Sequence, residues 1–455
     1  MSNENELNRR DFMKLGAISG IGAAIAGIGV SSCATTGRKL EAAPEQPLRV
    51  PPIDPVRIGL VGVGHQGSSH VENFLKIEGV EIKAICDIVP AKVEQMQKLV
   101  VDSGKAAPVG YSRGELDFER MCQEQDLDLV FTATPWVWHV PVCVAAMKNG
   151  KHAATEVPAA LTIDECWKLV KTAEKYQRHC VMMENCCYDR TELMIFNMIR
   201  QGLFGELLHA ECGYLHDLRE LKLSDFYEGG WRIKHSIKRN ADLYPTHGLG
   251  PVAQWMDLNR GNQFDYLVSM SCNSRGLNLY AEAKFGPDSP EAKQHYTLGD
   301  VVNTLIRTKK GQTILVTHDT NSPRPYSRRI LLQGTKGLVR KYPEQKIHIE
   351  ARSPAHRWEK LEDYIAEYEH PLWKQMEEKS RGAGHGGMDF IEDYRLVQCL
   401  REGKPTDMNV YDAAALCSVT ELSERSIANR GRSVDFPDFT RGRWKVWEPL
   451  GIIGA

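Results

Sequence analysis

The sequence predicts an α/β protein with a doubly wound parallel sheet at the N-terminal side and a C-terminal α+β domain built on a mostly antiparallel sheet. Two observations carry this prediction. Short apolar strands alternate with helical stretches from residue 56 to residue 184, and longer β-type runs follow in residues 185–455. A chain of 455 residues is long enough for two domains with separate cores. Residues 34–55 are polar and proline-rich, which predicts a linker ahead of the first domain.

A glycine-rich turn lies between the first two predicted strands. Gly62, Gly64 and Gly67 form a G-x-G-x-x-G spacing, and Asp87 closes the second strand. The first glycine permits a tight turn, the second lets the backbone approach a pyrophosphate, and the third lets the helix pack on the strand. The helix N-terminus then faces the anion, and the Asp87 carboxylate can hold a ribose diol and would repel a 2′-phosphate. The pattern predicts a Rossmann domain that binds NAD rather than NADP.

The alternation of elements continues along the chain. The predicted strands of the first domain are 57–61, 80–86, 127–132, 151–155 and 180–183, and its predicted helices are 68–77, 139–149 and 162–177. A helix over 188–201 opens the second domain, whose predicted strands are 207–214, 266–272, 301–308, 313–319 and 329–333. Residues 334–337 form a turn, and amphipathic helices over 389–402 and 410–429 return toward the first domain. We expect ligands at the carboxyl ends of the parallel strands.

The first 33 residues resemble a twin-arginine export signal. Arg9 and Arg10 precede an apolar run over 15–30 that is too short for a comfortable membrane span. A chance arginine pair before a buried helix is the alternative. Cys33 follows a loose lipoprotein cleavage box, so a lipid anchor at Cys33 and a free exported protein both stay open. We expect a periplasmic protein.

The composition limits the classes of partner and metal that the chain is expected to bind. The net charge of −2 gives no case for nucleic acid, and the twelve cysteines contain no C-x-x-C pair. Buried free thiols are therefore favoured over disulfides or a zinc site. No His/Cys/Asp/Glu cluster has metal-ligand spacing, so we predict no metal. We also expect a homo-oligomer.

Residues 56–430 resemble the Gfo/Idh/MocA oxidoreductase family. The resemblance lies in the glycine turn, Asp87, the run over 151–158, the turn over 334–337 and the two late helices. The sugar dehydrogenases of that family usually carry Glu-Lys-Pro, and the lysine assists hydroxyl oxidation. This chain has Glu156-Val157-Pro158 instead. A valine cannot transfer a proton, so the departure argues against ordinary dehydrogenase chemistry.

Five motifs are similar to a narrower group, glycoside hydrolase family 109. They are Trp136-Val137-Trp138-His139, Glu156-Val157-Pro158, Glu184-Asn185-Cys186-Cys187-Tyr188, the run from Tyr244 to Pro251 and the glycine-rich run from Gly382 to Gly387. The resemblance implies an NAD-dependent α-N-acetylgalactosaminidase, which cleaves terminal α-linked N-acetylgalactosamine from glycans. Activity on β-linked or non-acetylated galactosides is an alternative, as is a periplasmic NAD-dependent sugar oxidoreductase. A non-catalytic sugar sensor is a third class.

The resemblance also implies site residues. Besides the glycines, the NAD site would contain His65, Gln66, Asp87, Trp136, Trp138, His139, Glu156, Val157 and Asn185. The sugar would lie among Tyr214, Arg232, Tyr244, Pro245, Thr246, His247 and Tyr326. The candidate catalytic groups are Tyr244 and His247 for proton transfer at C3 and C2, and His385 for the leaving oxygen.

The mechanism that this resemblance implies is a redox elimination. NAD oxidises C3 of the sugar, a base removes the C2 proton, the glycosidic oxygen leaves, water adds, and NADH reduces C3 again. The cofactor is tightly bound and recycled, and the outcome is hydrolysis with retention. No paired carboxylates stand out in the sequence, which agrees with a route other than displacement.

Overall fold

The computed structural model describes residues 43–226 and 230–454. The predicted export signal, with Arg9, Arg10 and Cys33, lies outside these residues, as does the linker up to residue 42. Residues 43–55, the remaining part of the predicted linker, lie against the folded chain. Ala43 is buried, the Ile53 amide donates to the Leu400 carbonyl, and Asp54 pairs with Arg401. This part of the segment is therefore attached to the folded chain through the last turn of the helix over Met388–Glu402.

The N-terminal sheet has six parallel strands in the order β3-β2-β1-β4-β5-β6. This confirms the Rossmann prediction. The order reverses between β1 and β4, and the switch point opens a crevice at the carboxyl ends of these strands. Elements β3, α2 and α3 fall in a stretch for which the sequence predicted nothing. The strands are β1 Val56–Val61, β2 Val80–Cys86, β3 Val109–Tyr111, β4 Leu129–Thr132, β5 His152–Thr155 and β6 Cys180–Met182, and the helices are α1 His65–Lys76, α2 Pro90–Asp102, α3 Asp117–Glu124, α4 His139–Lys148 and α5 Ile163–Tyr176.

The second sheet has nine strands in the order β14-β13-β12-β11-β7-β10-β9-β8-β15. Every neighbouring pair is antiparallel except β7 and β10, so the predicted mostly antiparallel sheet is confirmed. The predicted turn over 334–337 joins β11 to β12 as a hairpin. The strands are β7 Leu207–Leu215, β8 Phe264–Ser271, β9 Val301–Thr308, β10 Thr313–Asp319, β11 Leu331–Gly334, β12 Gly337–Arg340, β13 Lys346–Ile349, β14 Glu359–Lys360 and β15 Val434–Asp435.

Ten helices accompany this sheet in the part of the chain that the structure describes. Two of them matter most for the site. Helix α9 packs against β7, and α14 packs against α1. The helices are α6 Arg190–Arg200, α7 Arg219–Lys222, α8 Trp231–Lys238, α9 Thr246–Trp255, α10 Gly276–Phe285, α11 Pro290–Lys293, α12 Ile365–Tyr368, α13 Pro371–Met376, α14 Met388–Glu402 and α15 Val410–Ala428.

Helices α14 and α15 return to the first domain, as predicted, where α14 packs on α1 and α15 on α5. The prediction that they are amphipathic is wrong. Most residues of both helices are buried, including polar ones, because α15 is held between α5 on one side and β8 on the other. A capping box between Asn409 and Asp412 fixes the start of α15. These two helices tie the Rossmann domain to the second sheet.

The cysteines behave largely as predicted. All those in the described residues are free, including the adjacent Cys186 and Cys187, and only Cys272 is exposed. Within the same residues, no helix has both the length and the apolar character needed to cross a membrane.

Candidate active site

A pocket of about 730 Å³ opens at the carboxyl ends of β1 and β4. Its wall comes from both domains, which places the glycine turn and the later motifs around one cavity. Most of the predicted site residues line it: Gly62, Gly64, His65, Gln66, Asp87, Trp136, Trp138, His139, Glu156, Val157, Asn185, Tyr214, Arg232, Tyr244, His247 and His385. A cavity of this size, lined by aromatic and apolar side chains with polar groups among them, is typical of a cofactor and substrate site.

The glycine turn has the geometry that a dinucleotide needs. Gly62 has a φ of +78°, and a Cβ there would lie 2.9 Å from the Thr134 amide nitrogen. The helix α1 begins at His65 without a side-chain cap, so its first N–H groups are available to an anion. Asp87 accepts hydrogen bonds from the amides of Val63 and Val89, both at 2.9 Å, which fixes its carboxylate at the end of β2. The glycine turn, the uncapped start of α1 and the fixed Asp87 carboxylate together suit the binding of NAD.

Gly67 does not line the pocket. A Cβ at this position would lie 2.0 Å from the Gly62 carbonyl oxygen, so the glycine allows α1 to pack against the turn. Its contribution to cofactor binding is therefore indirect, through the position of the helix.

The loop after β4 carries Trp136, Trp138 and His139. Trp136 is buried and stacks on Tyr244, with ring centroids 5.5 Å apart. Trp138 is half-buried against Phe118. The two ring nitrogens of His139 each lie 2.8 Å from a carbonyl oxygen, one of Pro158 and one of Thr134.

His139 was predicted to lie in the NAD site, and its side chain lines the cavity, while its contact with the cofactor stays a prediction. Burial lowers its pKa, and a neutral imidazole has one N–H to donate between its two carbonyl neighbours. One nitrogen therefore donates to a backbone carbonyl, and the other lies beside a second carbonyl without donating to it. The side chain lines the cavity between the loops that follow β4 and β5.

Glu156 is held by a histidine that the sequence did not single out. Its Oε1 lies 2.9 Å from Nε2 of His70, and its Oε2 accepts from the Val157 amide at 3.0 Å. His70 has no exposed surface, and its Nδ1 lies 2.9 Å from the Asp393 carboxylate. Burial by itself would lower the pKa of His70, but the Asp393 and Glu156 carboxylates outweigh it and raise that pKa well above its usual value. The two carboxylates therefore favour the imidazolium form of His70.

The substrate end of the pocket is organised by a pair between Glu184 and His247. His247 Nδ1 lies 2.8 Å from Glu184 Oε1, which leaves Nε2 as the nitrogen for the pocket. Burial would raise the pKa of Glu184, but His247 lowers it below its usual value. Glu184 was part of a recognised motif without a predicted role. The structure gives it one, because an ionised carboxylate fixes the orientation of the imidazole.

Two tyrosines surround His247. The Tyr244 ring lies 4.8 Å from His247 and the Tyr214 ring 5.4 Å from it, and both rings are buried. Burial raises the pKa of Tyr244, which keeps it protonated. The Arg232 guanidinium lies 4.9 Å from the centroid of Trp136. This set presents aromatic faces together with hydrogen-bond donors, which suits a sugar.

Three predicted substrate residues do not line the pocket. Pro245 precedes the first turn of α9, and Thr246 begins that helix without exposed surface. Both hold His247 in place. Tyr326 is 39% exposed beside the cavity, with its ring 5.0 Å from His216 and 6.2 Å from Tyr214.

His216 is a lining residue that the sequence analysis missed. Its Nδ1 lies 3.1 Å from the Tyr214 hydroxyl, and its side chain reaches the pocket. The signal was present, because side chains two residues apart on an extended segment point to the same face.

Glu184, Cys186 and His247 bring three potential metal ligands within 4.8 Å of one another. Sequence spacing could not show this cluster, because His247 comes from another element. Glu184 already bonds His247 and the Cys186 amide, and burial raises the pKa of the Cys186 thiol well above its usual value. These contacts account for the cluster without an ion, and the absence of a metal stays a prediction.

The fold and the site together define an NAD-binding Rossmann domain joined to a mixed sheet, with one cavity between them. Residues 56–184 match the oxidoreductase family with an NAD-binding Rossmann fold, and residues 188–446 match the glycosyl hydrolase 109 C-terminal domain. A glycosyl hydrolase family 109 protein from Shewanella pealeana is 48% identical over 455 residues, covering 99% of this chain and 100% of that protein. The chain belongs to glycosyl hydrolase family 109, and it is a glycoside hydrolase with an NAD-binding domain.

Two further relatives bear on the fold and the activity. A protein from Shewanella oneidensis named alpha-N-acetylgalactosaminidase is 44% identical over 464 residues, covering 99% of this chain and 100% of that protein. The crystal structure of an NAD-binding oxidoreductase from Klebsiella pneumoniae superposes with a TM-score of 0.67 at 16% identity, covering 84% of this chain and 98% of the other. At that identity the likeness concerns the fold alone.

Proposed function

We propose that this enzyme hydrolyses terminal α-linked N-acetylgalactosamine from glycans, with retention, through NAD that stays bound and is recycled. The observation that carries the proposal is His247, which lines the same cavity as the glycine turn, is oriented by the buried Glu184 and is flanked by Tyr214 and Tyr244. A fixed base beside a dinucleotide cradle is what removal of an acidified C–H proton requires. The name of the Shewanella oneidensis relative supports the choice of sugar.

Val157 argues against the alternative of a plain periplasmic sugar oxidoreductase. It lines the pocket at the position where related dehydrogenases carry their lysine, and it has no group that transfers a proton. His247 and Tyr244 line the same cavity and have groups that can do so. When bound, NAD would accept a hydride from C3 of the sugar and later return it.

Residues of the chain are proposed for proton transfer, for protonation of the leaving oxygen and for orientation of the sugar. His247, oriented by Glu184, and the protonated Tyr244 are the groups proposed for proton transfer at C2 and C3. His385 lines the cavity from a glycine-rich loop and is proposed as the acid for the leaving oxygen. Arg232 and the aromatic rings around it would orient the acetamide and the apolar sugar face.

A panel of nitrophenyl glycosides tests the proposed substrate. It should contain α- and β-linked galactosides, each with and without the 2-acetamide. Cleavage of the α-linked acetamido sugar without net NADH formation is the expected result. Preferred cleavage of a β-linked or non-acetylated member would move the specificity to that sugar. Net reduction of added NAD by a free sugar would favour the oxidoreductase, and binding without either reaction would favour the sensor.

Retention of NAD gives a separate prediction. Protein purified without added cofactor should release about one NAD per chain on denaturation, because a Rossmann domain holds one dinucleotide. Asp87→Ala should lower this amount, since the adenosine ribose loses an acceptor that two backbone amides hold in place. The released nucleotide is measured by chromatography. Wild-type protein that emerges empty and needs millimolar NAD would contradict tight binding.

The export route and the anchor are also proposals, supported by Arg9-Arg10 and Cys33 in the sequence. Replacing both arginines by lysine should leave full-length protein in the cytoplasm, as fractionation and immunoblotting would show. Cys33→Ala should release the exported protein from the membrane if that cysteine is lipidated. Unimpaired export of the double-lysine variant would contradict the twin-arginine route.

A further inference from the structure

Helix α14 carries three buried carboxyl groups, Asp389, Glu392 and Asp393, near its start. Asp393 faces His70 and accepts a hydrogen bond from Asn73. Burial and the neighbouring Glu156 raise the pKa of Glu392 well above its usual value, which favours its neutral form. Asp389 differs from both. Burial would raise its pKa, but the hydrogen bond from His385 and the other nearby cations and donors lower that pKa.

Asp389 joins three segments that line the pocket. Its Oδ2 lies 2.7 Å from His385 Nδ1 and accepts from Gln66 Nε2 at 3.3 Å. Its Oδ1 accepts from Asn185 Nδ2 at 2.7 Å. His385 belongs to the glycine-rich loop, Gln66 to the start of α1, and Asn185 to the segment after β6. One carboxylate therefore connects the proposed leaving-group acid with two residues expected to contact the cofactor.

The loop around His385 depends on this contact. His385 has a φ of +48°, a left-handed conformation that is unfavourable for a residue other than glycine. Its side chain is 55% exposed, so packing does little to hold it. A Cβ on Gly384 would lie 2.5 Å from Asp389 Oδ2, which shows how closely the loop backbone approaches the carboxylate. The hydrogen bond between His385 Nδ1 and Asp389 Oδ2 is the contact that holds the imidazole.

We propose that Asp389 is a positioning residue that holds His385 over the cavity and couples it to Asn185 and Gln66, and thereby to the bound cofactor. The role of His385 as an acid rests on the proposed function. The restraint on His385 and the coupling to the cofactor rest on the contacts of Asp389 alone.

The charges around both groups agree with this assignment. The pKa of His385 is raised chiefly by the hydrogen bond that its ring donates to Asp389, with the charges of Asp389 and Glu156 adding to the effect and burial and Arg328 opposing it. Around Asp389, the positive charges of His385 and His70 and the Asn185 amide favour the carboxylate. Asp393, on the next turn of α14, is compensated by His70. The two histidines thus pair with carboxylates one turn apart on α14.

The variant Asp389→Asn tests the proposal, because it removes the charge and keeps the shape. The titration midpoint of the His385 ring, followed by NMR and assigned by its loss in His385→Gln, should fall by roughly one pH unit or more. The limb of the pH–rate profile that reports His385 should move to lower pH by a similar amount. NAD retained per chain should fall in Asp389→Asn and stay unchanged in His385→Gln.

Glu402→Gln is the matched control. It removes a carboxylate from the same helix at an exposed position that pairs only with neighbouring Gln398 and Lys404. Neither the His385 titration nor NAD retention should change. Gly384→Ala is a second variant, which keeps both partners but pushes a Cβ against the carboxylate. It should lower the His385 titration midpoint and the amount of NAD retained per chain, as Asp389→Asn should.

An unchanged His385 midpoint in Asp389→Asn and Gly384→Ala would overturn the positioning role, even if activity falls. Unchanged NAD retention in Asp389→Asn would overturn the coupling to the cofactor. Both readouts are independent of catalysis. If they shift while no glycoside of the panel is cleaved, the proposed function fails and the role of Asp389 stands.

Discussion

A 3-O-methyl glycoside of the preferred sugar should be inert toward this enzyme. The proposed route requires a ketone at C3, and an ether at that position cannot form one. Turnover should therefore fall below detection, the largest effect that we expect. The matched comparison is the 4-O-methyl or 6-O-methyl glycoside, which keeps the C3 hydroxyl and tests whether added bulk alone prevents binding. Release of nitrophenol from each glycoside gives the measurement.

The same route predicts exchange at C2. In heavy water, deuterium should appear at C2 of the released sugar, because a base removes that proton and can exchange it with solvent. A displacement mechanism never breaks the C2–H bond, and its product would carry no label there. Mass spectrometry and NMR of the product make the measurement.

Efficient cleavage of the 3-O-methyl glycoside would exclude the mechanism and, with it, the roles of Tyr244, His247 and His385.

His247→Ala should lose on the order of 10²–10⁴ in kcat, the range assigned to a positioned acid or base. NAD retention should stay unchanged, because the glycine turn and Asp87 hold the cofactor from the other domain. Steady-state kinetics on the best substrate of the panel, together with released NAD, gives both readouts. His295→Ala, at an exposed histidine of the second domain, is the control and should behave as wild type.

Glu184→Gln separates positioning from direct catalysis at this histidine. The amide keeps the size of the side chain but removes the negative charge that orients the His247 ring. We expect a smaller loss of kcat than in His247→Ala and a shift of the pH–rate profile. Adding Glu184→Gln to His247→Ala should cost little more, since residues that act as a unit are not additive. A fully additive loss would show that Glu184 has a separate role.

Much of the fold could be predicted because its signals are local. The G-x-G-x-x-G spacing, the apolar strand of β1 and Asp87 lie within one βαβ unit, and β9 and β10 were predicted with their observed bounds. The amphipathic interpretation of α14 and α15 was wrong because their burial depends on two other layers of structure. No periodicity in a helix can show that its second face will also be covered.

The sequence by itself determined the Rossmann domain, its preference for NAD, the mostly antiparallel second sheet and the motifs that resemble family 109. These follow from residue types at short spacing, where backbone geometry and hydrogen-bonding chemistry leave few choices. Only the tertiary structure decided the partners of the site residues: Glu184 for His247, Asp389 for His385, and His70 between Glu156 and Asp393. Charges on distant elements acquire defined partners only when folding removes them from water, because burial makes an unpaired charge costly.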